Sequence, residues 1–317
     1  MNRLLQTALN AALTGAMTVA LGACSHREGS GTLAVFNAGA LALPLREALD
    51  SFARRNQIDP RQESAGSVET VRKIVDLGRV PDVVALADTA LFSTMMRGRL
   101  ASPVVILGHS RLVLAFTGRS RYADEVTSAN WMDVTTRNGV EVGRSDPSLD
   151  PAGYRALIAM RLAESFYGRP GLAAALERSA GQRNVRPKSA DLTALLQTGN
   201  LDYAWEYESV ARRLGLRYVQ LPREVNLGDP SLAPLYATAE ARIEPPGRSS
   251  IAESGAGATA MVIRGAPIVF GAAVPSGAAN PGAGRRFITY LMSPEGQSIL
   301  RSAGLGDNTS GFPSDTR

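Results

Sequence analysis

Gly199-Asn200-Leu201-Asp202-Tyr203-Ala204-Trp205-Glu206-Tyr207-Glu208-Ser209-Val210 is the stretch on which the reading of this chain turns. Leu201, Tyr203 and Trp205 alternate with Asp202 and Ala204 as in a short strand, and Ser209 to Leu214 follows as a helix. Glu206 therefore stands at a strand-to-helix junction. Carboxyl ends of strands are where α/β proteins place their ligands. A glutamate is equally at home there as a solvated turn residue or in a first helical turn, where the dipole favours it, so neighbouring segments must decide.

Toward the amino terminus, Ala190 to Leu196 reads as a short helix, Gln182 to Ser189 as a basic, exposed stretch, and Gly168 to Gly181 as helical. Val140-Glu141-Val142-Gly143 is a short strand entering Arg144-Ser145-Asp146-Pro147-Ser148-Leu149-Asp150-Pro151-Ala152-Gly153-Tyr154. Asp150 can cap a helix whose first turn holds Pro151, where the missing N–H costs nothing; capping and ligand contact are both open to it. Arg111 to Phe116 is a buried strand suited to a crossover between lobes.

Three strand–turn–helix units precede that crossover. Thr32 to Phe36 runs into Asn37-Ala38-Gly39-Ala40 and a helix from Leu41. Arg61 to Ser64 runs into Ala65-Gly66-Ser67 and a helix with Val68, Val71, Ile74 and Val75 on one side, stopping at Gly78. Asp82 to Ala87 leads to Asp88 and a helix through Met95. This alternation predicts mainly parallel sheets covered on both faces. The first two turns can present helix N–H groups to an oxyanion, with the Ser67 hydroxyl added, although Ala-Gly-Ser is also an ordinary N-cap.

Beyond the opening stretch, Tyr218 to Leu221 is a strand. Asn226 to Pro246 is rich in turn formers, with Leu232, Leu235 and Tyr236 left to pack; Glu224, just before it, is a candidate for the cleft or for the surface. Thr259 to Ile263 and Pro267 to Gly271 read as strands joined by Arg264-Gly265-Ala266 as a hairpin, the second returning to the first lobe. Ala283 to Leu291 and Pro294 to Leu300 are closing helices, and the polar chain beyond Gly304 is expected to fray.

With 317 residues the chain can bury one large core or two moderate ones, and 44% hydrophobic and 20% charged residues are ordinary values for a soluble protein. The net charge of +5 contains no run of Lys or Arg that would indicate nucleic acid. One Cys excludes an internal disulfide, and two His leave no room for a histidine-rich zinc site. Neither a GxGxxG turn nor a P-loop supports nucleotide binding. Met1-Asn2-Arg3 and the uncharged Leu4 to Leu21 form a secretory signal ending in Leu21-Gly22-Ala23-Cys24, which resembles a bacterial lipobox. Residues 1–23 are thus expected to be removed, Cys24 lipidated, and 24–30 left as a tether; a plain cut after Ala23 would instead leave a free thiol.

Taken in order, Ala38-Gly39-Ala40-Leu41, Glu63-Ser64-Ala65-Gly66-Ser67-Val68, Asp150-Pro151-Ala152-Gly153-Tyr154-Arg155 and Asp202-Tyr203-Ala204-Trp205-Glu206-Tyr207 resemble the tungstate- and molybdate-binding proteins of bacterial and archaeal ABC importers. Leu291 to Gln297 also resembles the closing helix link of solute-binding proteins. The resemblance implies an α/β type II periplasmic binding protein, with two mixed-sheet lobes joined by two crossovers around a ligand cleft. Lobe I would comprise 31–110 and 265–304, lobe II 111–264, and the tail 305–317. It implies a monomeric, non-enzymatic carrier without cofactor, periplasmic or at the cell surface, handing molybdate or tungstate to an inner-membrane permease. In such a site Asp150 and Glu206 would coordinate the tungsten or molybdenum, Ser67 would give a hydroxyl, and Gly39, Ala40 and Ala152 backbone groups. Pro151 and Glu224 complete the expected lining. Ala40 stands where the family usually has Ser, and Ala152 where close relatives have Cys. The missing Ala40 hydroxyl motivates a second reading, the same scaffold on another oxyanion or small polar solute. Two further readings use the carboxylates as a glycosidase-like acid/base pair, or fill the interlobe surface in a structural lipoprotein.

Overall fold

The computed structural model describes residues 31–243 and 260–306. Cys24, the signal segment 1–23, the tether 24–30 and residues 307–317 lie outside them. The chain begins with β1 (Thr32–Ala38), α1 (Ala42–Asn56), β2 (Asp59–Ala65), α2 (Ser67–Val75), β3 (Val83–Leu86), α3 (Ala90–Thr94) and β4 (Val105–Ser110). After Arg111 come β5 (Leu112–Phe116), α4 (Trp131–Thr135), β6 (Val142–Ser145), α5 (Pro151–Tyr167), α6 (Leu172–Ser179), β7 (Val185–Arg186) and α7 (Ser189–Thr198). Then follow β8 (Tyr203–Tyr207), α8 (Glu208–Arg213), β9 (Arg217–Gln220), α9 (Ala233–Tyr236) and β10 (Glu240–Ile243). The remaining described elements are β11 (Met261–Arg264), β12 (Ile268–Ala273), α10 (Pro281–Leu291) and α11 (Pro294–Ser302).

These strands build two mixed sheets, ordered β2-β1-β3-β12-β4 and β7-β6-β8-β5-β9. In the first, β1 is parallel to β2 and β3, whereas β12 enters antiparallel to both of its neighbours. In the second, β6 is parallel to β7 and β8, and β5 is antiparallel to β8 and β9. Composition decides position: Val-Val-Ala-Leu of β3 and Leu-Val-Leu-Ala-Phe of β5 are buried throughout and lie inside their sheets, while polar β2 forms an edge. Trp131, at the start of α4, packs edge-on to Trp205 of β8 with ring centroids 5.8 Å apart.

Two passages link the sheets. One is Arg111 alone, whose guanidinium pairs with Glu208 at 2.6 Å. The other runs from β11 into β12, and here the hairpin expected across Arg264-Gly265-Ala266 does not form. Half-exposed β11 pairs with β10 in a separate two-stranded ribbon, whereas β12, buried on both faces, crosses into the first sheet. Gly265 allows the divergence: a Cβ there would lie 2.2 Å from the Tyr236 carbonyl oxygen. At the far end, Leu305 is buried and Gly306 exchanges backbone hydrogen bonds with His109.

Candidate functional site

The facing ends of the two sheets bring together most of the residues singled out in the sequence. From the second sheet, β8 carries Glu206 as its last residue but one, fully buried, its Oε1 accepting from the Tyr207 N–H at 2.8 Å. Its Oε2 is buried with no hydrogen-bond partner among the described residues. Asp150 caps α5, accepting from the Ala152 N–H at 2.9 Å, and its other oxygen accepts from the Ser189 N–H at 3.0 Å. Cap and cleft residue are thus the same side chain. Pro151 and Ala152, buried in the first turn of α5, aim that turn at the cleft. Gly153 lets it sit directly on the end of β6, since a Cβ would lie 2.4 Å from the Ser145 carbonyl oxygen.

Burial dominates the electrostatics of both acids. It pushes the Glu206 carboxyl up to about 8, and the nearby Asp150 charge adds to the rise against the Tyr207 N–H and the Ser189 hydroxyl. Burial likewise raises Asp150 to about 6, despite the N–H groups of Ala152 and Ser189 and the nearby charge of Arg155. Neither acid forms an ion pair among the described residues; Arg155, paired with Asp88, acts on Asp150 only through its field. Among the described residues, no group of three or more His, Cys, Asp or Glu side chains is gathered as for a metal ion.

The first sheet supplies the opposite wall. Gly39 and Ala40 form the tight turn after β1, and a Cβ on Gly39 would lie 3.8 Å from that of Ala190 in α7. Both line a cavity of about 240 Å³ between the lobes with Leu43, Ala190, Val210 and Ala303; its lining does not include Asp150, Glu206 or Ser67. Ser67 is fully buried; its Oγ accepts from the Ala87 N–H at 3.0 Å, which leaves its hydroxyl proton free to donate. The helix N–H groups expected to face a ligand here are engaged instead. Val68 and Glu69 donate to the Leu149 carbonyl of the other lobe at 3.1 and 3.2 Å. Glu224 is not gathered with these residues: it lies in the turn after β9, beside Tyr236.

Three features of the cleft had no counterpart in the sequence reading. Ser189, assigned to an exposed basic stretch, is buried and holds Asp150. Arg155 is buried and donates to the Ala87 carbonyl at 2.6 Å and the Tyr207 hydroxyl at 2.8 Å, with Asp88 at 3.4 Å. Tyr154 donates to the same Asp88 carboxylate. Arg155 and Tyr154 belong to the second lobe and Asp88 to the first, so this cluster clasps the lobes together. A polar Arg one turn into a helix that starts at a cleft was the available signal.

Two α/β lobes, two linking passages and polar groups converging from both sides define a binding protein that closes on a small solute. Residues 33–306 match the family described as bacterial extracellular solute-binding protein, and the chain belongs to that family. It is therefore a carrier that captures and releases, not an enzyme. Among relatives, it is 36% identical over 277 residues to an uncharacterised solute-binding protein of Petrotoga mobilis, covering 87% of this chain and 83% of that one. It is 33% identical over 296 residues to the molybdate/tungstate-binding protein of Thermococcus kodakarensis, covering 85% and 80%. In fold it is similar to the Azotobacter vinelandii periplasmic molybdate-binding protein, with a TM-score of 0.61 at 14% identity over 87% of this chain and all of that one. The Mycobacterium tuberculosis sulfate-binding protein gives 0.59 at 14% identity, over 87% and 86%. None of the described helices is long and apolar enough to cross a membrane.

Proposed function

We propose that the chain captures molybdate or tungstate between its lobes and delivers it to an ABC permease in the inner membrane, anchored nearby through a lipid on Cys24. One observation carries the ligand assignment: Glu206 and Asp150 are buried near each other, neither is in an ion pair among the described residues, and Glu206 Oε2 has no hydrogen-bond partner there. Once ionised, two carboxylates repel the oxygens of sulfate or phosphate, whereas a hexavalent metal centre draws carboxylates into the ionised form and accepts their oxygens as added ligands. Asp150 and Glu206 fill that role in this reading. Ser67 donates its free hydroxyl proton, and the backbone of Gly39 and Ala40 serves the remaining oxygens, while the Ala152 N–H holds Asp150. The named relative in Thermococcus kodakarensis supports the same ligand class.

Ala40 favours a second reading, in which the site takes a different oxyanion or small polar solute, because one hydroxyl is missing from the first-lobe turn. Isothermal titration of the intact protein with tungstate, molybdate and sulfate separates the two. Submicromolar binding of the first two, weak sulfate binding and a large loss in Glu206→Gln are expected. Equal sulfate binding, or no response to any of the three, would remove the molybdate and tungstate assignment.

A further inference from the structure

Ser145 ends β6 with its side chain fully buried and its Oγ, like Glu206 Oε2, without a hydrogen-bond partner among the described residues. The two orphaned atoms are neighbours by register. β6 and β8 run parallel with Val142 opposite Tyr203 and Gly143 opposite Ala204, so continuing the pairing sets Ser145 level with Glu206. Strands in a sheet lie about 4.8 Å apart. Both side chains also point to the same face. A Cβ on Gly143 would meet Leu201 and Leu192 at 2.5 and 2.8 Å, and Ala204 packs in the same cluster with Leu192, Leu196 and Leu201. Alternation along each strand then places Ser145 and Glu206 on that side, toward the start of α7, where Ser189 meets Asp150. The α5 turn that carries Asp150 and Ala152 rests on the Ser145 carbonyl.

A buried, unpartnered polar group is destabilising, so two adjacent ones that do not bond each other are satisfied together by a group that bonds both. We infer that the Ser145 hydroxyl is a ligand-binding group, donating to an oxygen of the captured oxyanion beside the Glu206 carboxylate. This rests on the oxyanion reading of the same site. A hydroxyl suits the position because it donates without adding charge, and between two acids the atom it can best reach is an anionic oxygen of the ligand. Ser145 thereby supplies from the second lobe the kind of donor that Ala40 lacks in the first.

The test is Ser145→Ala in the intact protein, titrated with tungstate and melted without ligand, alongside wild type and Glu206→Gln. Loss of one donor to a charged ligand is expected to weaken tungstate binding roughly tenfold to a hundredfold. The ligand-free variant should melt at the wild-type temperature or above it, because a buried orphan has been removed. An unchanged tungstate affinity overturns the inference. So does a markedly lower melting temperature or failure to fold, which would show that the hydroxyl bonds within the protein or to a buried water. If wild type itself binds no tungstate, the oxyanion reading falls and this inference with it. Wild-type binding that Glu206→Gln weakens and Ser145→Ala leaves intact would remove Ser145 alone.

Discussion

Gly66→Ala puts a methyl group where the lobes meet. Gly66 precedes α2 with φ −63° and ψ 148°, a conformation that alanine adopts without strain, so the first lobe tolerates the change by itself. Across the cleft it does not: the new Cβ would lie 2.2 Å from the Leu149 carbonyl oxygen and 2.8 Å from its carbon. Restoring an ordinary carbon–oxygen separation requires a retreat of roughly 1 Å. That retreat carries the 3.1 and 3.2 Å bonds from Val68 and Glu69 to Leu149 beyond useful length. At about 0.5–1.5 kcal/mol each, their loss amounts to about 1–3 kcal/mol, or roughly 5- to 150-fold in affinity for a ligand that requires closure. Asp150, the next residue, moves with them. The ligand-free protein can relieve the contact by staying open, and Gly→Ala at a compatible backbone angle stabilises by about 0.4–1 kcal/mol. Calorimetric titration should therefore show at least roughly fivefold weaker tungstate binding, with an unchanged or slightly raised melting temperature. Small-angle scattering with ligand should show a larger radius of gyration than wild type. Binding within twofold of wild type, with normal compaction, would refute the reasoning.

Other consequences are equally direct. Burial raises Glu206 from 4.5 to about 8 and Asp150 from 3.8 to about 6, so the folded, ligand-free protein holds protons that the unfolded chain releases. This stability is full below the unfolded values and is lost as pH rises through about 6 and then about 8. Melting temperature without ligand should fall between about pH 5 and about pH 8.5, less steeply in Glu206→Gln; an equal slope in the variant would contradict the assignment. Asp88→Asn removes the charge facing buried Arg155 across the lobes, and stopped-flow displacement should show ligand release accelerated roughly tenfold, an unchanged rate arguing against the clasp. Ala40→Ser should tighten tungstate binding roughly tenfold by titration if the first-lobe turn touches the ligand, and do nothing if it does not.

Much of the architecture was legible because it is written locally. The strand–turn–helix units before Arg111, the Asp150-Pro151 helix start and the alternation into Glu206 each declare themselves within about ten residues, through periodicity and turn chemistry. What escaped depends on partners distant in sequence. Ser189 looked exposed because its neighbours Arg183, Arg186 and Lys188 are basic; its burial comes from Asp150, thirty-nine residues away. Arg155 was visible in its motif, but its role comes from Asp88 in the other lobe. The supposed hairpin at Arg264-Gly265-Ala266 failed because two apolar runs joined by a short turn satisfy a hairpin pattern, and only the need of β12 for burial on both faces sends it elsewhere.

The placement of β12 also orders events in time. Every strand of the second sheet lies between residues 112 and 220, so that lobe can assemble as soon as this length of chain emerges. The first sheet cannot. Its inner strand β12 is the last strand of the described chain to be synthesised, and it inserts between β3 and β4. Until it arrives, both present open edges to any passing chain. A polypeptide ending before residue 268 would keep one finished lobe tied to a split one. Protection of those two edges, by a chaperone or by speed, is therefore a requirement that the connectivity itself imposes.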